Sequence, residues 1–117
     1  MRLQDQVILI TGSTTGIGEH MARRFIKEGA KVILHGRDAA RGLALRKELG
    51  EDKAAFCQGS LEDAAYPEKL ATEAIAAFGR VNALVNNAAL TIRGRIDTTD
   101  AAFFDRMMAV NARAPML

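Results

Sequence analysis

Short β-branched runs alternate with longer helical stretches along this chain, and that alternation restricts the fold more than any other feature. Gln6–Thr11, Lys31–Gly36, Ala54–Gln58 and Val81–Asn86 read as strands. Helices are expected between them. The first runs over 16–28, where Ile17, Met21, Phe25 and Ile26 recur at helical spacing. The second, 39–49, starts behind Asp38 as N-cap. The third, 67–78, opens on Pro67, which suits the first helical position, and turns Leu70, Ala74, Ile75 and Phe78 to the core. Gly29, Gly50 and Gly79 close these three helices. A last helix starts near Thr98–Asp100 and carries Phe103, Met107, Val110 and Ala114 on one stripe. Strand and helix in strict rotation predict an α/β fold: a doubly wound parallel sheet with helices on both faces and right-handed crossovers.

The 117 residues suit a single domain, 1–117. Sixteen Lys and Arg against fourteen Asp and Glu leave a net charge of +2, too little for a nucleic-acid footprint. A hydrophobic share of 49% with 26% charged residues excludes disorder as the main description. Cys57 stands alone and His20 and His35 form no ligand cluster, so disulfide and structural zinc chemistry are both excluded. The apolar run Val7–Ile10 is too short for a signal core or a membrane span. A reducing, cytoplasmic protein without a membrane or nucleic-acid partner is the expectation.

Thr11-Gly12-Ser13-Thr14-Thr15-Gly16-Ile17-Gly18 joins the first strand to the first helix, the placement a phosphate-binding turn requires. Glycine admits the backbone close to a pyrophosphate, and the helix start offers unpaired N–H groups and the positive dipole end. The spacing Gly-x-x-x-Gly-x-Gly differs from the Gly-x-Gly-x-x-Gly fingerprint and from a P-loop. A plain strand–helix turn is the alternative.

This turn resembles the cofactor turn of the short-chain dehydrogenase/reductase family. Asn86-Asn87-Ala88-Ala89 is similar to that family's Asn-Asn-Ala-Gly segment, with Ala89 in place of the glycine, and Val110-Asn111 resembles its active-site asparagine helix. The resemblance spans the chain but under half of a usual family member. It implies a Rossmann-type sheet of order 3-2-1-4, ending here after the fourth strand and its following helix. It also implies an NAD(P)(H)-dependent oxidoreductase that moves hydride between nicotinamide and a carbonyl or alcohol carbon of a small-molecule substrate. By resemblance Gly12, Ser13, Thr14, Gly16, Ile17 and Gly18 meet the pyrophosphate side of the cofactor. Ser60 and Leu61 meet the adenine, where the family usually has Asp and an aliphatic residue. Asn87 ties the strands beneath the cofactor, with Ala88 and Ala89 along its ribose and pyrophosphate.

His35-Gly36-Arg37-Asp38 follows the second strand, where NAD enzymes carry a carboxylate for the ribose 2′-OH and NADP enzymes an arginine for the 2′-phosphate. Gly36 takes the carboxylate's place and Arg37 follows it, able to fork onto a phosphate. NADP(H) is therefore expected over NAD(H), with a solvated Arg37 as the alternative. Thr15 stands where many NADP-type members carry a second basic residue. His35 reads as a strand residue, not a ligand.

Asn111 falls beside the core stripe of the last helix, where a polar group needs partners. Pro115, four residues on, lacks the N–H that would pair with the Asn111 carbonyl. By resemblance Asn111 holds a water of the proton relay; a backbone-satisfied asparagine is the alternative. The family's Ser and Tyr-x-x-x-Lys are absent, because the single tyrosine, Tyr66, precedes the fourth strand and position 70 is Leu. The expectation is thus the cofactor-binding front half of a longer, homo-oligomeric reductase, inactive by itself, with no metal. A catalytically silent nucleotide-binding or redox-sensing module, or a scaffold that has lost the cofactor, remains as an alternative.

Overall fold

The computed structural model describes residues 2–88 and 101–116. Its elements are β1 (Val7–Ile10), α1 (Gly16–Lys27), β2 (Lys31–Gly36), α2 (Ala39–Leu49), β3 (Ala54–Gln58), α3 (Tyr66–Phe78), β4 (Ala83–Val85) and α4 (Ala101–Met108). A π-helical turn, Ala109–Arg113, and the short α5, Ala114–Met116, continue α4. Ala89 and the expected helix start at Thr98–Asp100 lie outside the described residues.

The four strands form one parallel sheet in the order β3-β2-β1-β4. This is the doubly wound, Rossmann-type arrangement, and its physical basis is visible in β1. Alternate side chains of a strand point to opposite faces. Ile8 and Ile10 pack with Val32, Leu34, Ala22 and Leu45 on the face covered by α1 and α2. Val7 and Leu9 pack with Ile33, Leu70 and Ala74 on the face covered by α3. Both faces are dry, so both sets of positions are apolar and the strand reads as an unbroken hydrophobic run.

The helix borders follow their sequence signals. Asp38 Oδ1 accepts the Arg41 N–H at 3.1 Å and starts α2. Pro67 sits in the first turn of α3, which begins one residue earlier than expected, at Tyr66. β4 is three residues long, not six. Among the described residues β1 is its one strand partner, and Leu84 is 51% exposed. Asn82, just before it, still grips β1: its N–H donates to the Val7 carbonyl and its Oδ1 accepts the Val7 N–H, both at 2.8 Å.

The last helix departs from the expected regular stripe. In the π turn the Ala114 N–H donates to the Ala109 carbonyl, five residues back. The inserted residue changes the phase of the stripe. Ala109 and Ala114 are buried and Val110 packs on the core, while Asn111 is exposed, not buried.

Candidate cofactor-binding site

β2 and β4 flank β1 on opposite sides, so the strand order reverses at β1, and a cleft of about 500 Å³ opens at the carboxyl end of the sheet there. Such a switch point is where parallel α/β sheets hold ligands. Gly12, Thr14, Thr15, Gly16 and Ile17 form one wall. His35, Gly36, Arg37, Asp38 and Arg41 stand at one end, and Ser60, Leu61, Asn87, Ala88 and Val110 contribute the rest of the lining.

The turn is built for close approach. Gly12 and Gly16 have φ of +63° and +57°, a region that costs other residues about 1–2 kcal/mol. A Cβ on Gly12 would stand 2.9 Å from Ala88 Cα. A Cβ on Gly18 would run into the Gly12 carbonyl and the Asn87 side chain, so Gly18 serves by letting helix and strand pack. No side chain caps the start of α1, since Thr15 makes no side-chain cap bond. The first N–H groups of the helix and its positive dipole end therefore suit an anion.

β4 is stitched to this turn. Thr11 Oγ1 accepts the N–H groups of Asn87 (3.1 Å) and Ala88 (3.0 Å). Asn87 Nδ2 donates back to the Gly12 carbonyl at 3.1 Å, the tie that the resemblance implied.

Arg37 and Arg41 are both exposed at the cleft, one on the strand end and one in the first turn of α2. Asp38 is also there, but its carboxylate caps α2 through the Arg41 N–H. A side chain at Gly36 would strike Thr14, whose Oγ1 would be 2.7 Å from its Cβ. Thr14 is 6% exposed and has little room to yield.

Three expected contacts fall elsewhere. Ser13 is fully buried and faces the sheet, not the cleft: its Oγ accepts the His35 N–H, and its own N–H donates to the His35 carbonyl, both at 2.9 Å. Gly18 lies behind the wall. Asn111 is absent from the lining, where its neighbour Val110 stands. Ser60 and Leu61 do reach the cleft; the Ser60 hydroxyl accepts the Glu62 N–H at 3.2 Å and bends the loop after β3.

Arg41 is not among the expected cleft residues, and His35, a strand residue as expected, also lines the cleft. Arg41 carried a signal, because it lies four residues beyond Arg37 and one turn into a helix whose cap had been recognised. His35 carried none beyond its strand position. Its ring is 3% exposed, accepts the Gly12 N–H at Nδ1 (3.0 Å) and donates from Nε2 to the Gly59 carbonyl (3.1 Å). An amide can only donate and a carbonyl can only accept, so the ring is the neutral Nε2–H tautomer. Burial pushes its pKa below the ordinary 6.5.

Tyr66 is not poised for acid–base work. It is 6% exposed, its ring lies under Gly59, and its hydroxyl has no hydrogen-bond partner. Burial drives the phenol pKa further up. Lys69 points away toward Glu73, 3.9 Å distant. Among the described residues no three His, Cys, Asp or Glu side chains group as a metal site, and no helix is long and apolar enough to cross a membrane.

The geometry fits a dinucleotide: a backbone cradle that a Cβ would fill, an uncapped helix start, and two guanidinium groups at the far end. Comparison with known proteins agrees in kind. The sequence profile of the short chain dehydrogenase family matches residues 6–117. An uncharacterized oxidoreductase of Thermotoga maritima is 38% identical over 100% of this chain and 47% of its own length. An NADP-dependent (R)-specific alcohol dehydrogenase of Lentilactobacillus kefiri is 36% identical over 94% of this chain and 44% of its own length. Among solved structures, a 3-ketoacyl-(acyl-carrier-protein) reductase from Brucella melitensis, complexed with NADH, superimposes with a TM-score of 0.91 at 36% identity. It covers 98% of this chain, which spans 48% of it. A blue fluorescent protein from a metagenomic library, in complex with NADPH, gives a TM-score of 0.92 at 30% identity over 99% of this chain and 49% of its own. The chain thus spans about half the length of the relatives it matches. Family profile, sheet order and glycine cradle converge: the chain belongs to the short chain dehydrogenase family.

Proposed function

We propose that this chain is the cofactor-binding part of an NAD(P)(H)-dependent oxidoreductase acting on a small-molecule carbonyl or alcohol, and that it prefers NADP(H) over NAD(H). The observation that carries the reading is the cleft itself, with the glycine turn on one wall and Arg37 and Arg41 at one end. When bound, the nicotinamide ring supplies or accepts the hydride. The chain's own groups bind and orient. Amides at the α1 start, those of Gly16 and Ile17, hold pyrophosphate beside Gly12, Thr14 and Thr15, with Ile17, 73% exposed, over the cleft. Ser60 and Leu61 meet the adenine, Asn87 secures the floor, and Ala88 runs along it. Arg37 and Arg41 take the 2′-phosphate. The crowding of Gly36 by Thr14 disfavours a carboxylate there, which supports NADP(H). Asn111 supports the proton relay by resemblance.

Turnover needs the Ser, Tyr and Lys of the family pattern. These 117 residues do not contain that pattern, so this chain is proposed to bind without catalysing. That observation equally favours the second reading, a silent nucleotide-binding or redox-sensing module. A cytoplasmic location is proposed, supported by the lone, buried Cys57 of these 117 residues, and homo-oligomerisation through the last helix is proposed by family resemblance.

Fluorescence titration with NADPH and NADH tests the reading. Charge-assisted hydrogen bonds contribute about 1.5–3 kcal/mol each, so NADPH should bind roughly ten- to a hundredfold more tightly. Arg37→Ala should erase most of that difference. Equal affinities, unchanged by Arg37→Ala, would overturn the NADP(H) preference. Binding of neither dinucleotide would overturn the function.

A further inference from the structure

His35 sits where three segments distant in sequence converge, and every polar atom it has is engaged. Its backbone pairs both ways with Ser13 of the glycine turn. Its ring takes the Gly12 N–H and gives to the Gly59 carbonyl. The ring also leans on Tyr66, with centroids 5.7 Å apart and planes tilted by 34°. The preceding β2 residues, Ile33 and Leu34, are fully buried with apolar side chains alone. Packing therefore does not call for an imidazole at 35; the two ring nitrogens are its distinguishing content.

Those nitrogens join the two sides of the cleft. Gly12 belongs to the turn that faces the pyrophosphate, and Gly59 leads directly into Ser60 and Leu61. Loops left to themselves must be ordered when a ligand binds, at a cost in affinity. A buried imidazole bonded to both removes that cost in advance.

Resting on the dinucleotide-binding reading above, we propose that His35 is a positioning residue: as a neutral imidazole it holds the glycine turn and the Gly59–Leu61 loop at the separation a bound dinucleotide requires. His35 is itself among the residues lining the cleft, and this role is exerted on the two loops rather than on the reacting atoms. It acts through Gly12 and Gly59.

The proton count follows from the geometry. A proton added at Nδ1 would face the Gly12 N–H, so a stabilising contact becomes a repulsive one. The groups around the ring are known. From β3, Cys57 is its register partner, and burial pushes that thiol up to about 11. From α3, Tyr66 stacks on it with its phenol pKa raised, and Glu73 acts on both Cys57 and Tyr66. Arg37 adds a positive charge that also disfavours protonation of the ring. The β1–α1 turn contributes Gly12 and Ser13, neither of them ionisable. Neither Cys57 nor Tyr66 gains or loses charge below about pH 8.

Calorimetric titration with NADP+ and NAD+ tests the proposal on wild type, His35→Asn and His35→Ala, with melting temperatures measured alongside. NAD+ lacks the 2′-phosphate and its own titration. At about pH 7.5, His35→Ala should weaken both dinucleotides about thirtyfold, the equivalent of two lost buried hydrogen bonds at about 1 kcal/mol each. His35→Asn can still accept the Gly12 N–H through its side-chain oxygen but is too short to keep the Gly59 bond, so it should fall between, about fivefold weaker than wild type. On moving to about pH 5.5, wild type should weaken while His35→Asn, which cannot be protonated, changes less. A lower melting temperature for His35→Ala with unchanged affinity would mean a structural role alone and overturn the proposal. Should His35→Ala fail to fold, equal pH slopes for wild type and His35→Asn overturn it, and a flatter slope for the variant upholds it. If wild type binds neither dinucleotide, the functional reading itself has failed, an outcome separate from unequal binding among variants.

Discussion

Replacing Gly12 and Gly16 in turn with alanine separates two costs that usually coincide in a glycine turn. Both residues adopt nearly the same left-handed backbone, with φ of +63° and +57°. Alanine there costs about 1–2 kcal/mol in strain, offset by about 0.4–1 kcal/mol because the unfolded chain becomes stiffer. At Gly16 nothing lies within 4 Å of the new Cβ, so the strain is the whole cost, about 1 kcal/mol. At Gly12 the new Cβ would stand 2.9 Å from Ala88 Cα, 3.1 Å from its Cβ and 3.3 Å from its N. Backbone must move, and with it the bonds that Thr11 and Asn87 make across the same junction. Overpacking of this kind adds about 1–3 kcal/mol. Gly12→Ala should therefore lose about 2–4 kcal/mol in total, against about 1 kcal/mol for Gly16→Ala. Urea unfolding followed by circular dichroism reads the difference as a separation of midpoints. Coincident midpoints, or a lower one for Gly16→Ala, would refute the reasoning from crowding.

Three further outcomes follow from the same coordinates. Asp38→Ala removes the N-cap of α2 and should cost about 1 kcal/mol in the same unfolding assay, with Asp38→Asn largely retaining it. Cys57 is 5% exposed with its thiol pushed up to about 11, so an aromatic disulfide reagent at about pH 7.5 should leave it unmodified until the protein is unfolded. Stability should also fall in mild acid. The folded-state pKa of His35 lies below the unfolded value of 6.5, so the unfolded chain takes up its proton first. The His35 contribution is whole above pH 6.5 and is lost as pH falls from there through the folded pKa; in His35→Asn that segment of the melting-temperature profile should flatten.

The parts of the fold that were legible are those with local punctuation. The β2, α2 and β3 borders coincide with expectation because Asp38 and Gly50 mark the helix ends chemically and Val32–Leu34 and Ala54–Cys57 are apolar runs. β4 is shorter than expected because only Ala83–Val85 pair as strand with β1, while Asn82 bonds Val7 through its side chain and Asn87 bonds the Gly12 turn. The π turn at Ala109–Arg113 had no local signature, and it moved Asn111 from the core side to the exposed side. Within the cleft, the glycines were legible because their role is a backbone one, and Arg37 because it follows a strand end directly. Ser13 was placed wrongly in the cleft because a hydroxyl in a phosphate-binding turn looks the same whether it faces the ligand or the sheet. The His35 strap was illegible for a different reason. It joins residues 12, 35 and 59, whose proximity is a product of the parallel sheet register and not of any spacing along the chain.

On this reading the cleft at the carboxyl end of the sheet holds a nicotinamide dinucleotide. An amide NMR titration of the protein with NADP+ tests this residue by residue. The account predicts that the largest shifts fall on Gly12, Thr14, Gly16 and Ile17, on Arg37 and Arg41, and on Ser60 and Leu61. Saturating shifts confined to other surfaces, or no shifts at Gly12, Gly16 and Arg37, would contradict it.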